Sequence, residues 1–401
     1  MNWIEKMIAE QCPNGVKKVK FQDFATYTRG VTYNKSQESF SEDDSYKILR
    51  ANNITLERNA INFDDIKFVN KSVKIKEQQW LKQNDILICA GSGSKEHVGK
   101  VAFIDQNINY SFGGFMAVIR AFDGVNSRYL FHNLTSISFH DYLTSALNST
   151  TINNLNIQVM SGFEIPLPPI SIQEEIVSVL DKFTELIENT DKEIELRQKQ
   201  YEYYREKLLT FEEGEAQALK DIINHSCSGS TPTKSVSAYY QGGTIPWLRT
   251  QDVKFNEIYE IDSYITEYAV EKTAVKWIPE NCVIVAISGA TAGRCAINKI
   301  KTTTNQHCLN LEIDNKKADY KYVFYCVMNQ YDDLIAMKQG ARGDLNSSSI
   351  LKLKIPVPSL ARQQKIVATL DKFEAMISKL KEERELRQKQ YEYYREKLLT
   401  F

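Results

Sequence analysis

Two stretches of the chain carry apolar and aromatic residues at alternating four- and three-residue spacing. The first runs Ile176, Leu180, Phe183, Ile187, Thr190, Ile194, Arg197, Tyr201, Tyr204, Leu208, Phe211. The second runs Ile366, Leu370, Phe373, Ile377, Leu380, Arg384, Arg387, Tyr391, Tyr394, Leu398, Phe401. This is a heptad seam, whose apolar stripe faces a partner helix. Gln, Glu, Lys, Arg and Leu fill the remaining positions, and neither stretch contains Gly or Pro after its proline-rich start. Such residues favour helix. The pattern predicts helices over 169–211 and 359–401, each roughly 60 Å long at 1.5 Å per residue. In the second, two arginines stand where the middle of the seam turns polar.

The regions before these helices, 1–168 and 212–358, read differently. Short apolar runs are bounded there by Gly, Asn, Ser and Asp, which predicts mixed α/β domains rich in short strands. A length of 401 residues also argues against one core, because cores stop growing at roughly 250–300 residues.

The two halves are copies. Glu195-Leu-Arg-Gln-Lys-Gln-Tyr-Glu-Tyr-Tyr-Arg-Glu-Lys-Leu-Leu-Thr-Phe211 recurs unchanged as Glu385 to Phe401, an offset of 190 residues. At the same offset Leu180-Asp-Lys-Phe183 matches Leu370-Asp-Lys-Phe373, and Ile165-Pro-Leu-Pro168 matches Ile355-Pro-Val-Pro358. Self-similarity of this kind marks a repeat architecture. The globular parts match more loosely. Leu49-Arg50-Ala51-Asn52-Asn53-Ile54 parallels Leu248-Arg249-Thr250-Gln251-Asp252-Val253, and the strand and loop from Ile86 to Ile104 parallel Val283 to Ile297. A polar loop, Leu147 to Asn153, is matched with Gly340 to Asn346.

Charge suggests how the helices pair. Residues 169–211 hold 6 Lys/Arg and 10 Asp/Glu, a balance of −4, and residues 359–401 hold 10 and 7, a balance of +3. An antiparallel intrachain pair is the economical arrangement; a solvated charged face on each helix would give the same sums. The tyrosines Tyr201, Tyr203, Tyr204, Tyr391, Tyr393 and Tyr394 could form a stacking platform for single strands. At helical spacing, packing against a helix or partner is the better reading.

Composition then excludes several classes. With 42% hydrophobic and 25% charged residues the chain is an ordinary globular one. The start, Met1-Asn-Trp-Ile-Glu-Lys6, lacks the apolar core of a secretory signal, and no run reaches the ~18 apolar residues that span a bilayer. A cytoplasmic location is expected, with no membrane partner. The seven cysteines (Cys12, Cys89, Cys227, Cys282, Cys295, Cys308, Cys326) form no C-x-x-C pair; they read as reduced, mostly buried thiols rather than a zinc site. The net charge of −1 lacks the basic excess that usually announces a nucleic-acid binder, unless charge is locally uneven or a partner supplies phosphate contacts.

No catalytic constellation emerges. The loop from Gly91 to Lys100 resembles a phosphate cradle, but Gly93 and Gly99 enclose five residues, and Val101 follows the lysine where a P-loop needs Ser or Thr. A polar hairpin loop able to touch a phosphate backbone fits better. There is no Gly-x-Ser-x-Gly, His-Glu-x-x-His or Gly-x-Gly-x-x-Gly motif. Asp64 and Asp65 beside Lys67 read as a solvated face rather than a nuclease centre.

A globular domain, an Ile-Pro-Leu-Pro lead-in and a Leu-Asp-Lys-Phe helix ending Gln-Lys-Gln-Tyr-Glu-Tyr-Tyr-Arg-Glu-Lys-Leu-Leu-Thr-Phe, all occurring twice, resemble the specificity subunit of type I restriction-modification enzymes. The segment Gln11-Cys-Pro-Asn-Gly-Val16 resembles the same family. The resemblance implies an α+β chain with a pseudo-twofold internal repeat: two target-recognition domains, 1–168 and 212–358, separated by two long antiparallel coiled-coil helices, 169–211 and 359–401. It implies double-stranded DNA with a bipartite target as ligand, and two methyltransferase subunits and restriction/translocase subunits as partners. No cofactor is expected in this chain; S-adenosylmethionine, ATP and Mg belong to the partners. The lack of Asn-Pro-Pro-Tyr, Asp-Pro-Pro-Tyr and Walker motifs agrees with a non-catalytic subunit. Without the family, twofold symmetry in a DNA reader still mirrors two half-sites separated by about a helical turn.

Candidate readers are the polar residues of the matched loops. In the first half they are Arg50, Asn52, Asn53, Ser92, Ser94, Lys95, Lys100, Asn148 and Asn153. In the second they are Arg249, Thr250, Gln251, Ser288, Thr291, Arg294, Gln306, His307, Arg342 and Asn346. Arg forks onto guanine and Asn or Gln onto adenine, although half or more of such contacts go to the backbone. Arg342, between Gly340 and Gly343, is the foremost single candidate. Helix pairing or partner docking is assigned to Ile176, Leu180, Phe183, Ile187, Ile194, Tyr201, Tyr204, Leu208, Ile366, Leu370, Phe373, Ile377, Tyr391, Tyr394 and Leu398. The competing readings are a coiled-coil adaptor binding proteins without DNA readout, which the near-neutral charge favours, and an autonomous nuclease or methyltransferase, which the missing motifs disfavour.

Overall fold

Two helices of equal length dominate the chain, Ile170–Leu209 and Leu360–Leu399, 40 residues each. Their starts differ by 190 residues, the offset of the sequence repeat. The computed structural model describes residues 2–39, 41–55, 59–148, 154–210, 216–338 and 344–401. They fall into two units, Met1–Asp191 with Glu382–Phe401, and Lys192–Lys381. Each unit therefore takes one globular part, the near half of one long helix and the far half of the other.

In the first unit a four-stranded antiparallel sheet has the order Ala25–Arg29, Met116–Ala121, Ile86–Cys89, Val101–Phe103. A second sheet has the order Glu38–Ser39, Lys67–Asn70, Ser45–Leu49, Ser111–Phe112, its last pair parallel. The second unit repeats the plan. One sheet has the order Ile223–Ser228, Cys308–Ile313, Val283–Ala286, Cys295–Asn298, Asn256–Ile258, and the other Tyr264–Ile265, Ile245–Leu248, Thr302–Thr304, Trp277–Ile278.

The apolar run Ile86–Cys89 is buried on both faces, and the two-residue period of a strand assigns its side chains to different cores. Ile86 and Ile88 join the core under the helices, while Leu87 and Cys89 join the core shared with the second sheet. In the other unit Val283 and Val285 face one core, and Ile284 and Ala286 the other. This double burial explains why these strands read as uninterrupted apolar runs.

The join between globular part and long helix is built identically in both units. Asn126 caps helix Ser127–Leu134 and Asp319 caps helix Tyr320–Asn329, each accepting two backbone N–H groups. Buried Gln173 accepts from Asn126 N and donates to Pro168 O, both at 2.8 Å. Gln363 does the same with Asp319 N and Pro358 O, also at 2.8 Å. Tyr129 donates to Pro166 O and Tyr322 to Pro356 O. The Ile-Pro-x-Pro segments thus serve as acceptors that fix each helix on its domain.

The expected antiparallel pairing is present inside each unit. In the first, Ile176, Leu180 and Ile187 share a core with Tyr391 and Leu398. Phe183 stacks on Tyr394, and Arg387 donates to Leu186 O at 3.0 Å and Thr190 Oγ1 at 3.1 Å. Arg384 pairs with Asp191 at 3.3 Å. The polar centre of the seam is therefore a place where arginines meet acceptors of the other helix. In the second unit Tyr204 stacks on Phe373, and Ile366 and Leu370 share a core with Leu209, against which Tyr201 and Leu208 pack. Ile377 is buried and Ile194 half-buried. The inward tyrosines pack, as their spacing predicts.

No helix among the described residues is long and apolar enough to cross a membrane, and no group of three or more His, Cys, Asp or Glu among them could hold a metal. Five of the seven cysteines are buried.

Candidate nucleic-acid interface

In each unit two chain segments cross almost in contact. A Cβ on Gly30 would lie 2.2 Å from Gly113 O, and one on Gly229 would lie 1.8 Å from Thr304 O. Only glycine lets the backbones approach so closely. The crossing supports a turn that carries the same bonds in both units. Gly113 N donates to Leu49 O and Asn305 N to Leu248 O, both at 2.9 Å. Val31 N donates to Phe112 O at 2.7 Å and Ser230 N to Thr304 O at 3.0 Å. Ala90 N reaches Phe115 O at 2.8 Å, and Ile287 N reaches His307 O at 2.9 Å. The turns Gly113–Phe115 and Asn305–His307 are therefore structural counterparts.

Beside each turn stands an arginine. Arg50 and Arg249 occupy the same place before a 3-10 turn, their N–H groups donating to Asn53 Oδ1 and Asp252 Oδ2, both at 2.8 Å. Each keeps a buried Nε without an acceptor among the described residues. Arg50 pairs with Asp65 at 2.8 Å, and Asn52 donates to the same carboxylate oxygen at 2.7 Å. The guanidinium of Arg249 lies 6.0 Å from the Trp247 ring centre.

In the first unit these elements enclose a groove of about 1110 Å3, lined among others by Arg29, Arg50, Asn52, Lys67, Ser92 and Phe115. Among the described residues two arginines and a lysine face it with one carboxylate, Glu38, which pairs with Lys67 at 2.5 Å. With Arg50 held by Asp65 as well, two of these three cations are paired with carboxylates, so the groove carries only a small positive excess.

A family model for the type I restriction modification DNA specificity domain matches the chain twice, over residues 13–197 and 212–388. The chain belongs to this family. A type I restriction enzyme specificity subunit of Escherichia coli is 35% identical over 256 residues, 59% of this chain, and the match spans 63% of that relative's length. A putative type I restriction enzyme specificity subunit of Haemophilus influenzae is 30% identical over 336 residues, 76% of this chain and 81% of the relative. Two solved structures share the fold. The S subunit of a type I restriction-modification system from M. genitalium has a TM-score of 0.57 at 16% identity, covering 96% of each chain. A chain from a structure describing complex assembly and conformational transition of the type I R-M system has a TM-score of 0.63 at 15% identity, covering 96% of this chain and 98% of that one.

The candidate readers of this specificity-family chain fall into distinct places. Arg50, Asn52 and Ser92 line the groove of the first unit. Asn53 is 1% exposed and its amide is spent on Asn62 O and Asp65 O, which makes it a loop staple. Lys100 donates to Ile54 O at 2.7 Å, and burial pushes its ammonium below the usual lysine range. Ser94 donates to Glu96 at 3.1 Å. Asn153 and Arg342 lie outside the described residues, as do the side chains of Lys95 and Asn148.

In the second unit Arg249, Gln251, Ser288, Gln306 and His307 belong to the loops around the matched turn. Gln251 and His307 are exposed, and Gln306 accepts a hydrogen bond from Thr231. Thr250 opens the 3-10 turn Thr250–Asp252, and Thr291 closes the turn Gly289–Thr291. Arg294 is the counterpart of Lys100, since the backbone carbonyls of both bond the strand end, to Ala286 N and Cys89 N, at 2.9 Å. Asn346 caps helix Ser347–Leu351 by accepting from Ser348 N at 2.9 Å. Its counterpart is Asn156, which caps helix Ile157–Ser161, and not Asn153. The loop match is therefore shifted by three residues: Leu155 and Leu345, just before these caps, donate to Ala90 O and Ile287 O at 2.7 Å.

Among the groove residues that escaped the sequence analysis are Arg29, Lys67 as a groove cation, and Phe115. A signal for Arg29 existed. Arg29-Gly30 and Ser228-Gly229 differ by 199 positions, the same offset that relates Arg50 to Arg249.

Asp65 and Lys67 do not form the nuclease-like cluster considered from their spacing. Asp65 serves Arg50 and Asn52, and Lys67 serves Glu38.

Proposed function

We propose that the chain is the DNA-reading subunit of a type I restriction-modification complex, each globular part reading one half of an asymmetric, interrupted duplex target. The observation that carries this reading is the pair of matched turns. One scaffold occurs twice with the same backbone bonds, yet its tips carry Gly-Gly-Phe in one unit and Asn-Gln-His in the other. Constant backbone with divergent tips is what two half-sites of different sequence require. In this reading residues 1–168 and 212–358 are the two readers, and 169–211 and 359–401 the conserved helices.

The long helices supply the docking surface for two methyltransferase subunits. In the identical segments Leu196 and Leu386 are 62% and 61% exposed, and Tyr203 and Tyr393 57% and 62%. Leu and Tyr of this exposure on a helix otherwise rich in charge suit a protein partner, and equal exposure in both copies suits two identical partners. S-adenosylmethionine then belongs to the methyltransferases, and ATP and Mg to restriction and translocase subunits. A complex that acts on chromosomal DNA belongs in the cytoplasm.

The test is duplex binding by the chain assembled with methyltransferase subunits. Retention should fall with salt as phosphate contacts release counterions, and Arg50→Ala and Arg249→Ala should each weaken response to a different half-site. Retention indifferent to salt and sequence would favour a protein adaptor instead.

A further inference from the structure

The turn Gly113–Phe115 places an aromatic ring where a polar chain would be expected. Phe115 is 72% exposed, the most exposed large apolar residue among those described, yet its backbone is held firmly: its carbonyl accepts from Ala90 N at 2.8 Å and Gly91 N at 3.0 Å. Around it lie Arg29, Arg50, Asn52 and Ser92. None of the three apolar clusters of the unit includes it. The ring is therefore carried on a held backbone and left out of the chain's own packing.

Its counterpart sharpens the point. The register Cys89↔Met116 in one unit corresponds to Ala286↔Cys308 in the other, so the residues before these partners, Phe115 and His307, occupy one backbone position. His307 is exposed as well, its Nε2 lying 3.2 Å from Gln306 Nε2. One half thus offers an apolar ring and the other a hydrogen-bonding ring from the same rigid support.

We propose that Phe115 and His307 are equivalent specificity-determining residues, Phe115 contacting the C5 methyl of a thymine in one half-site and His307 hydrogen-bonding a purine edge in the other. This rests on the reading of the two units as half-site readers. The major groove offers just these two features, the thymine methyl as an apolar contact and purine N7 as an acceptor. A phenyl ring has no hydrogen bond to give a phosphate, so sequence rather than backbone is what it can sense. An imidazole N–H suits N7.

The test uses the assembled methyltransferase complex on duplex libraries randomised at the target, with methylation as readout. Wild type should prefer thymine at a position of one half-site, and replacing that thymine by uracil, which lacks the methyl, should lower methylation on the order of tenfold. Phe115→Ala should erase the thymine-over-uracil preference and leave the other half-site unchanged. His307→Ala should relax only the other half-site, with loss of discrimination against a 7-deazapurine at the contacted position. Thermal unfolding matched to wild type shows that the variants fold. A wild-type consensus that persists in both variants, in properly folded protein, overturns this proposal while leaving the half-site reading intact. No interrupted consensus in wild type overturns both.

Discussion

His132 and Asp181 join the first globular part to its long helix through a contact made in the interior. The imidazole is fully buried; its Nε2 lies 2.8 Å from Asp181 Oδ1 and its Nδ1 3.0 Å from Tyr391 Oη. Arg128 reaches the same carboxylate at 2.6 Å. The arrangement fits a neutral ring donating from Nε2 and accepting the tyrosine hydroxyl at Nδ1. The other unit does the same work without a histidine. Tyr325 donates to Asp371 at 2.6 Å and also lies 2.9 Å from Glu374, and Lys321 pairs with Asp371 at 3.1 Å.

This difference makes the first unit sensitive to acid. Burial lowers the His132 pKa below its ordinary value, against the opposing pull of Asp181. A folded-state pKa below the unfolded one means that the unfolded chain takes up the proton first, so stability present near neutrality is lost as pH falls below about 6.5. The loss should approach about 1.4 kcal/mol per pH unit until the folded ring also protonates. Burial would raise the Asp181 pKa, but hydrogen bonds from His132 and Arg128 overcome this and lower it, so its contribution persists until more acidic pH. Thermal unfolding of wild type and His132→Gln between pH 7.5 and 5.5 checks this. Wild type should lose more stability than the variant across that interval.

Leu180 and Leu370 are fully buried at the same position of the repeat. Replacing either with Ala leaves a cavity beneath a long helix, and buried Leu→Ala changes cost about 2–5 kcal/mol. Denaturant unfolding should show losses in this range for each variant. A loss under about 1 kcal/mol would mean that the helix is not held to its domain by this contact.

Gly30→Ala and Gly229→Ala place a methyl 2.2 and 1.8 Å from backbone oxygen. Backbone cannot swing aside as a flexible side chain would, so the matched turns must shift. Each variant should lose recognition of its own half-site by about tenfold or more, as when a well-placed base contact is removed, with the other half-site unaffected. Methylation of duplexes altered one half at a time measures this.

The repeat and the long helices were legible because periodicity and identity are properties of sequence, and the polar seam centre at Arg384 and Arg387 was visible for the same reason. The groove was only partly so. Arg50 and Asn52 emerged because they sit in a matched segment, whereas Lys67 reaches it through sheet pairing and Arg29 comes from the other sheet, so neither is marked by sequence proximity. That the side chains of Asn53 and Lys100 bond backbone carbonyls of their own chain was not legible, because a polar side chain carries no mark of the carbonyl it will bond. Phe115 went unnoticed because an isolated aromatic beside glycines reads as core. Asn346 was set against Asn153 because polar loops align poorly, and only the cap geometry identifies Asn156 as its counterpart.

The most direct test of the central claim is to sequence the sites methylated by the complex assembled from this chain and its methyltransferase partners. The account predicts an interrupted consensus with two half-sites of different sequence, about one helical turn apart between centres. Methylation at an uninterrupted motif, or at no motif, would contradict it.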